Sequence, residues 1–178
     1  MIEIADHDPG WREWFTRQGG ALRSALGRVA VRIDHIGSTA VPGLAAKPYL
    51  DVQVSVASFE PLALYRDPLE RMGLRFRADN PERTKRYFRE PEGAPRVHVH
   101  VRRAGSFSEQ LPLLMRDFLR EDDVSAREYE AVKREVAARC VDRPERYAEE
   151  KQQFVWTLVA RADAWAQRTG WEAGPSDA

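Results

Sequence analysis

The sequence predicts an α+β domain: one mixed β-sheet packed by helices, followed by a helical C-terminal half. Three observations predict it. Five short runs between residues 29 and 102 read as strands separated by turn residues. Apolar residues from residue 111 onward recur at helical spacing. A chain of 178 residues is long enough for one buried core and short for two. Residues 1–170 are therefore expected to form a single domain, with 171–178 as a frayed tail.

The first element is a helix. Asp8 is a good N-cap, Pro9 suits the first helical position, and Trp11, Trp14, Phe15, Leu22, Ala25 and Leu26 follow at helical spacing before Gly27. Residues 29–35 alternate with period two and read as a strand ending at Ile36-Gly37-Ser38. The loop from Thr39 to Lys47 carries the Pro42-Gly43 turn signal. Residues 49–56 form the next strand, with Tyr49, Asp51, Gln53 and Ser55 on one face and Leu50, Val52, Val54 and Val56 on the other. A helix is expected between Ser58 and Met72, interrupted by prolines and stopped at Gly73. Leu74–Arg77, Lys85–Glu90 and Arg96–Arg102 read as strands, the last two joined by a hairpin-sized loop. A short helix over Leu111–Leu119 follows. Ser125-Ala-Arg-Glu128 reads as a capping box opening a second helix, and Asp142-Arg-Pro-Glu145 opens a long final one.

Composition narrows the function classes. Hydrophobic residues make up 43% of the chain, too many for disorder. The 28 basic and 28 acidic side chains cancel, so no global positive field draws bulk nucleic acid or an anionic membrane. A local basic pocket for a small phosphorylated ligand stays open. The lone Cys140 has no partner for an internal disulfide, and its place in a helical run makes it a packing residue. The first nine residues lack a basic leader with an apolar stretch, and no run reaches the ~20 apolar residues of a membrane span. A cytoplasmic protein, monomer or homodimer, is the expectation.

The strongest local signal is His35-Ile-Gly-Ser-Thr-Ala-Val-Pro-Gly-Leu44 followed by Lys47-Pro-Tyr-Leu-Asp51. A strand running into Gly-Ser, then a loop, then an Asp on the next strand is a layout of nucleotidyl-transfer sites. Gly37 lets the backbone approach a phosphate, and Ser38, Thr39 and nearby N–H groups can bind anionic oxygens. Asp51 can hold a divalent metal bridging those phosphates. A lone Gly-Ser is most often a plain turn. His35 can serve as ligand, phosphate donor or structural partner of the turn, with the last two favoured over metal; His7 reads as solvated.

These residues resemble the GrpB family, a branch of the nucleotidyltransferase superfamily. The run from His35 to Asp51 matches its signature nearly residue for residue. The resemblance continues through Val97-His-Val-His100, Met115-Arg-Asp-Phe-Leu-Arg120, Tyr129-Glu-Ala-Val-Lys133 and Tyr147-Ala-Glu-Glu-Lys151, and covers roughly residues 5–165. It implies a nucleotidyltransferase-like sheet and says much less about activity.

One departure matters. Such enzymes usually place two carboxylates two apart on the strand, and here Asp51 is followed by Gln53, with one neutral oxygen. His98 and His100, two apart on a strand, project to one face and can join Asp51 and Gln53 as metal ligands; Mg or Mn is expected, with Zn the alternative. A basic and aromatic group completes the candidate site. Lys47 lies at the mouth of the Asp51 strand, and Tyr129/Lys133 and Tyr147/Lys151 are each spaced four apart, able to wall a pocket for a planar phosphorylated ligand. Three readings follow. The first is metal-dependent nucleotidyl or phosphoryl transfer from a nucleoside triphosphate, with Asp51, His98 and His100 catalytic. The second is a non-catalytic nucleotide or small-anion binding module with a degenerate metal site. The third is a metal enzyme of another class built on His98, His100 and Asp51.

Overall fold

The computed structural model describes residues 2–178. Helix α1 spans Gly10–Leu26, with Asp8 Oδ1 accepting from Gly10 N at 2.8 Å at its start. Five strands follow: β1 (Ala30–Ile36), β2 (Leu50–Val56), β3 (Arg75–Phe76), β4 (Lys85–Arg89) and β5 (Val97–Arg103), with α2 (Ala63–Arg71) between β2 and β3. The C-terminal half holds α3 (Phe107–Glu121), α4 (Asp123–Arg139), α5 (Tyr147–Glu150) and α6 (Gln152–Thr169). No helix is long and apolar enough to cross a membrane among the described residues.

The sheet order is β1-β2-β5-β4-β3. Its neighbours are antiparallel except β2 and β5, which run parallel in the register Asp51–His98, Gln53–His100 and Ser55–Arg102. That pairing makes the sheet mixed and aligns two polar series side by side. The opposite series, Val52, Val54, Val56, Val97, Val99, Val101 and Phe88, is buried with Phe15, Leu22 and Leu26 of α1 and Tyr65 and Leu69 of α2. A second core of Val41, Leu44, Phe118, Leu119, Tyr129, Leu158 and Ala162 joins the loop after β1 to the C-terminal helices. The polar face of the sheet is thus left facing the cleft between sheet and helical half.

Four expectations need correction. The predicted capping box at Ser125 does not cap α4: Asp122 does, its carboxylate accepting from Ser125 N at 2.7 Å, and a carboxylate at the N-cap also suits the helix dipole. The final helix is interrupted at Lys151 rather than continuous from Pro144. His7 packs edge-on against Trp11, with ring centroids 5.5 Å apart, instead of standing in solvent. The tail is not frayed. Ser176 Oγ accepts from Ile33 N at 2.8 Å, and Asp177 Oδ2 accepts from His35 N at 2.9 Å and Arg116 Nη1 at 2.8 Å. The reason is that β1 is an edge strand with free N–H groups, and a short polar segment satisfies them.

Candidate functional site

The centre of the site is Asp51, near the N-terminal end of β2. His100 Nε2 lies 3.1 Å and His98 Nδ1 3.3 Å from the same oxygen, Oδ1. Each β5 side chain leans toward β2, which is possible because the parallel pairing sets the two series on one face. Tyr49 meets His98 edge-on at 5.2 Å, and Tyr87 lies 5.1 Å from the His100 ring, so the imidazoles are walled by aromatic rings. Burial pushes the Asp51 carboxyl up, but contacts from His100 and His98 outweigh it and hold the group well below the usual carboxylate range. Burial pushes His100 below its ordinary value, against the pull of Asp51.

The other oxygen of Asp51 faces the turn after β1. Gly37 has φ 74°, and a Cβ there would lie 2.8 Å from Asp51 Oδ2. Positive φ and close approach both call for glycine at this position. Ser38 and Thr39 follow in a short 3₁₀ turn. Ser38 lines the cleft, and the buried Thr39 hydroxyl donates to Tyr49 O at 3.1 Å.

Two connected cavities open here, of about 300 and 90 Å³, sharing Ser38, Asp51 and Lys151 in their walls. Lys47 from the loop before β2, Lys133 from α4 and Lys151 from the break between α5 and α6 converge on the smaller one. Lys47 Nζ sits 3.8 Å from the Tyr147 ring centroid, Lys133 Nζ 4.7 Å from that of Tyr129, and Lys151 Nζ 3.3 Å from the Tyr129 hydroxyl. Lys133 also donates to the Ala45 carbonyl. None of the three forms a salt bridge among the described residues, whereas Lys85, the fourth lysine, pairs with Glu82 at 2.6 Å. Burial and the neighbouring Lys151 lower Lys133 to about 7, and the same two causes lower Lys47.

The expected residues are not all in the site. Gln53 is fully buried and engaged: its Oε1 accepts from Arg102 Nη1 at 3.0 Å and its Nε2 donates to Glu109 O at 3.1 Å. A guanidinium thus occupies the place where a second metal ligand was expected. This donor set does not fit a pair of hard divalent ions, which require several anionic oxygens. Among the described residues no group of three His, Cys, Asp or Glu side chains is arranged as a metal cluster. His35 lies on the other face, stacked on Phe15 at 4.8 Å with Nε2 3.0 Å from Thr39 Oγ1, which makes it the structural partner of the turn. Arg102, buried beside Gln53, is the member of this polar network that the local sequence pattern leaves unassigned. It continues the period-two series His98, His100, and following that phase one step further finds it. A second overlooked signal is lysine scarcity: the chain has four lysines and 24 arginines, and three of the four meet in this one cleft.

The comparisons agree with this architecture. The profile of the GrpB protein family matches residues 1–161. The UPF0157 protein YqkA of Bacillus subtilis is 30% identical over 164 residues, covering 92% of this chain and 48% of YqkA, so the chain spans about half the length of that relative. The crystal structure of GrpB from Enterococcus faecalis superposes with a TM-score of 0.83 at 30% identity, over 92% of this chain and 99% of that one. The poly(U) polymerase Cid1, in a structure with MgGTP bound, gives a TM-score of 0.54 at 14% identity over 75% of this chain and 44% of its own, a likeness of fold alone. The sheet, its helices and the matched span together make this chain a member of the GrpB family, on a nucleotidyltransferase-like fold.

Proposed function

We propose that the chain binds a nucleoside triphosphate, or a closely related polyphosphorylated small molecule, in the cleft around Asp51 and transfers its nucleotidyl or phosphoryl group to an acceptor. One observation carries this reading: three lysines without carboxylate partners converge beside Gly37, Ser38 and Asp51. Lys133 is buried and Lys47 and Lys151 are half-buried; ammonium groups so placed repel one another and are short of hydration, so an anion with several oxygens is their natural counterpart. Tyr129 and Tyr147 hold the lysine ammonium groups against their rings and so position them for the ligand's phosphates. The likeness of fold to Cid1 with MgGTP bound supports a nucleotide as the ligand class.

Asp51, His98 and His100 are joined to one another by hydrogen bonds and are not arranged as a metal cluster, so a single divalent ion would come with the ligand's phosphates and find Asp51 as its carboxylate. Bound there, such an ion would neutralise charge on the transferring phosphoryl oxygens. Asp51 and the two imidazoles orient one another, the lysines hold phosphate oxygens, and Gly37 keeps the backbone close enough for Ser38 to reach them. The binding-only reading is favoured by one fact, the engagement of Gln53 by Arg102.

The test has two parts. Thermal shifts with each nucleoside triphosphate, with and without Mn, Mg or Zn, should reveal a ligand; at 100 times its dissociation constant it stabilises the fold by about 2.7 kcal/mol. Ser38→Ala and Lys151→Ala should weaken that effect. Turnover of labelled triphosphate that is abolished in Asp51→Asn, with binding retained, supports transfer. Binding with no turnover across metals and acceptors leaves the binding module. No shift with any nucleotide sinks both.

A further inference from the structure

A cavity of about 590 Å³ lies away from Asp51, at the N-terminus of α3. Nothing in the proposed transfer uses it. We propose that it binds a second small molecule: an anionic head group on an apolar, ring-sized body.

Its polar wall is short of acceptors. Arg102 lines the cavity, is only 7% exposed, and its Nε–H is buried without a hydrogen-bond partner. Among the described residues, Nη1 is the one atom of that guanidinium with a hydrogen-bond partner, Gln53 Oε1. Ser55, in register with Arg102 on β2, has a buried hydroxyl that is likewise unpartnered. A buried guanidinium with unmet donors is costly, and a carboxylate or phosphate oxygen is the group that meets them. Beside it α3 begins. Ser106 caps the helix by accepting from Glu109 N at 3.3 Å, which leaves the N–H groups of Phe107 and Ser108 available at the positive end of a 15-residue helix. Arg83 and Arg103 add positive charge at the wall. Glu82, the acidic side chain among the described lining residues, pairs with Lys85 at 2.6 Å, and its charge also reaches Arg102.

The remaining wall is apolar: Phe59, Leu111, Pro112 and Phe107, the last 72% exposed. A large aromatic side chain this exposed beside a cationic pocket is suited to cover the body of a ligand whose head is held below. Inorganic phosphate would use only half of such a site, and a neutral aromatic the other half.

The experiment is a titration of the ¹⁵N-labelled full chain, read at the backbone amides. Four probes are used: phenyl phosphate, phenylacetate, inorganic phosphate and benzyl alcohol. Phenyl phosphate or phenylacetate should shift the Phe107 and Ser108 amides saturably, and the tighter of the two names the head group. Inorganic phosphate and benzyl alcohol should each bind at least about tenfold more weakly, because each lacks one half of the contact. Arg102→Lys should weaken the better probe by about tenfold, since an ammonium cannot reproduce the guanidinium fork. Phe107→Ser changes an exposed residue and leaves the core intact; it should weaken the probe by about fivefold and keeps the test decisive should Arg102→Lys misfold. Shifts centred on Ser38, Lys47 and Lys151 instead would overturn the proposal, as would affinity unchanged in Phe107→Ser or no saturable shift at all.

Discussion

The two faces of the sheet are made by alternate residues of the same strands and are held by opposite physics. On one face Val52, Val54, Val99 and Phe88 are fully buried against α1 and α2, where each contact is interchangeable and non-directional. On the other, Asp51, Gln53, His98, His100 and Arg102 are joined by directed contacts in which each group depends on a named partner. The apolar face is complete as it stands. The polar face is not: among the described residues the three lysines facing it lack counter-ions, and His98 Nε2, His100 Nδ1 and Arg102 Nε have no hydrogen-bond partner, His98 Nε2 reaching only Glu90 Oε2 at 4.0 Å. The lesson is that unmet charge, rather than burial or cavity size, marks where a ligand belongs.

Breaking the apolar face should have the largest effect on stability and none on ligand selectivity. Phe88→Ala should cost about 3–5 kcal/mol in denaturant unfolding. The comparison has one exception, since His35 lies on the apolar face, and pH exposes it. Burial lowers His35 from 6.5 to about 4, so the unfolded chain binds a proton there that the native chain refuses. Stability is whole above pH 6.5 and falls as pH drops toward 4, by on the order of 3 kcal/mol, and His35→Gln should flatten that limb of the stability profile.

Gly37→Ala comes next. Its left-handed backbone and the clash with Asp51 Oδ2 should cost about 1–3 kcal/mol in thermal or denaturant unfolding and should displace the carboxylate, weakening ligand binding more than a surface change of equal stability cost. Lys133 sharpens the contrast in the other direction. Its native value of about 7 lies below its ordinary 10.5, so fold stability should rise as pH climbs from 7 to 10.5, while affinity for a phosphorylated ligand falls over the same range as the ammonium is lost. Titration of affinity against pH checks this, and Lys133→Arg should remove the decline. The smallest effect is expected from Gln53→Glu. The new carboxylate meets Arg102 rather than a metal, so Mn or Zn affinity measured by calorimetry should stay flat.

The same contrast explains what was legible in the sequence. The alternation Leu50, Val52, Val54, Val56 reveals a strand and its buried face from local pattern alone, and the five strands and the helical half follow from such patterns. The cluster of Asp51 with His98 and His100 was half legible. Their phases are local, but bringing them together needs the parallel pairing of strands more than 40 residues apart. Gln53 reads as a metal ligand from its strand phase alone because its partner, Arg102, is reached only through that pairing. The tail reads as frayed for a similar reason: Ser176 and Asp177 are short polar residues whose partner is the open edge of β1, and nothing near them in the chain indicates it.

The scarcity of lysine has a practical consequence. None of the four lysines is fully exposed, and Lys85 is tied to Glu82, so the outer surface presents arginine as its cationic side chain. Guanidinium groups are inert to acylating reagents under mild conditions, whereas Lys133, held near 7, carries a substantial neutral-amine fraction at ordinary pH. Among side chains, an amine-directed label applied to the folded chain would therefore report chiefly on the cleft, the α-amino group being its other target, and protection of the lysines from that label would give a footprint of whatever fills it.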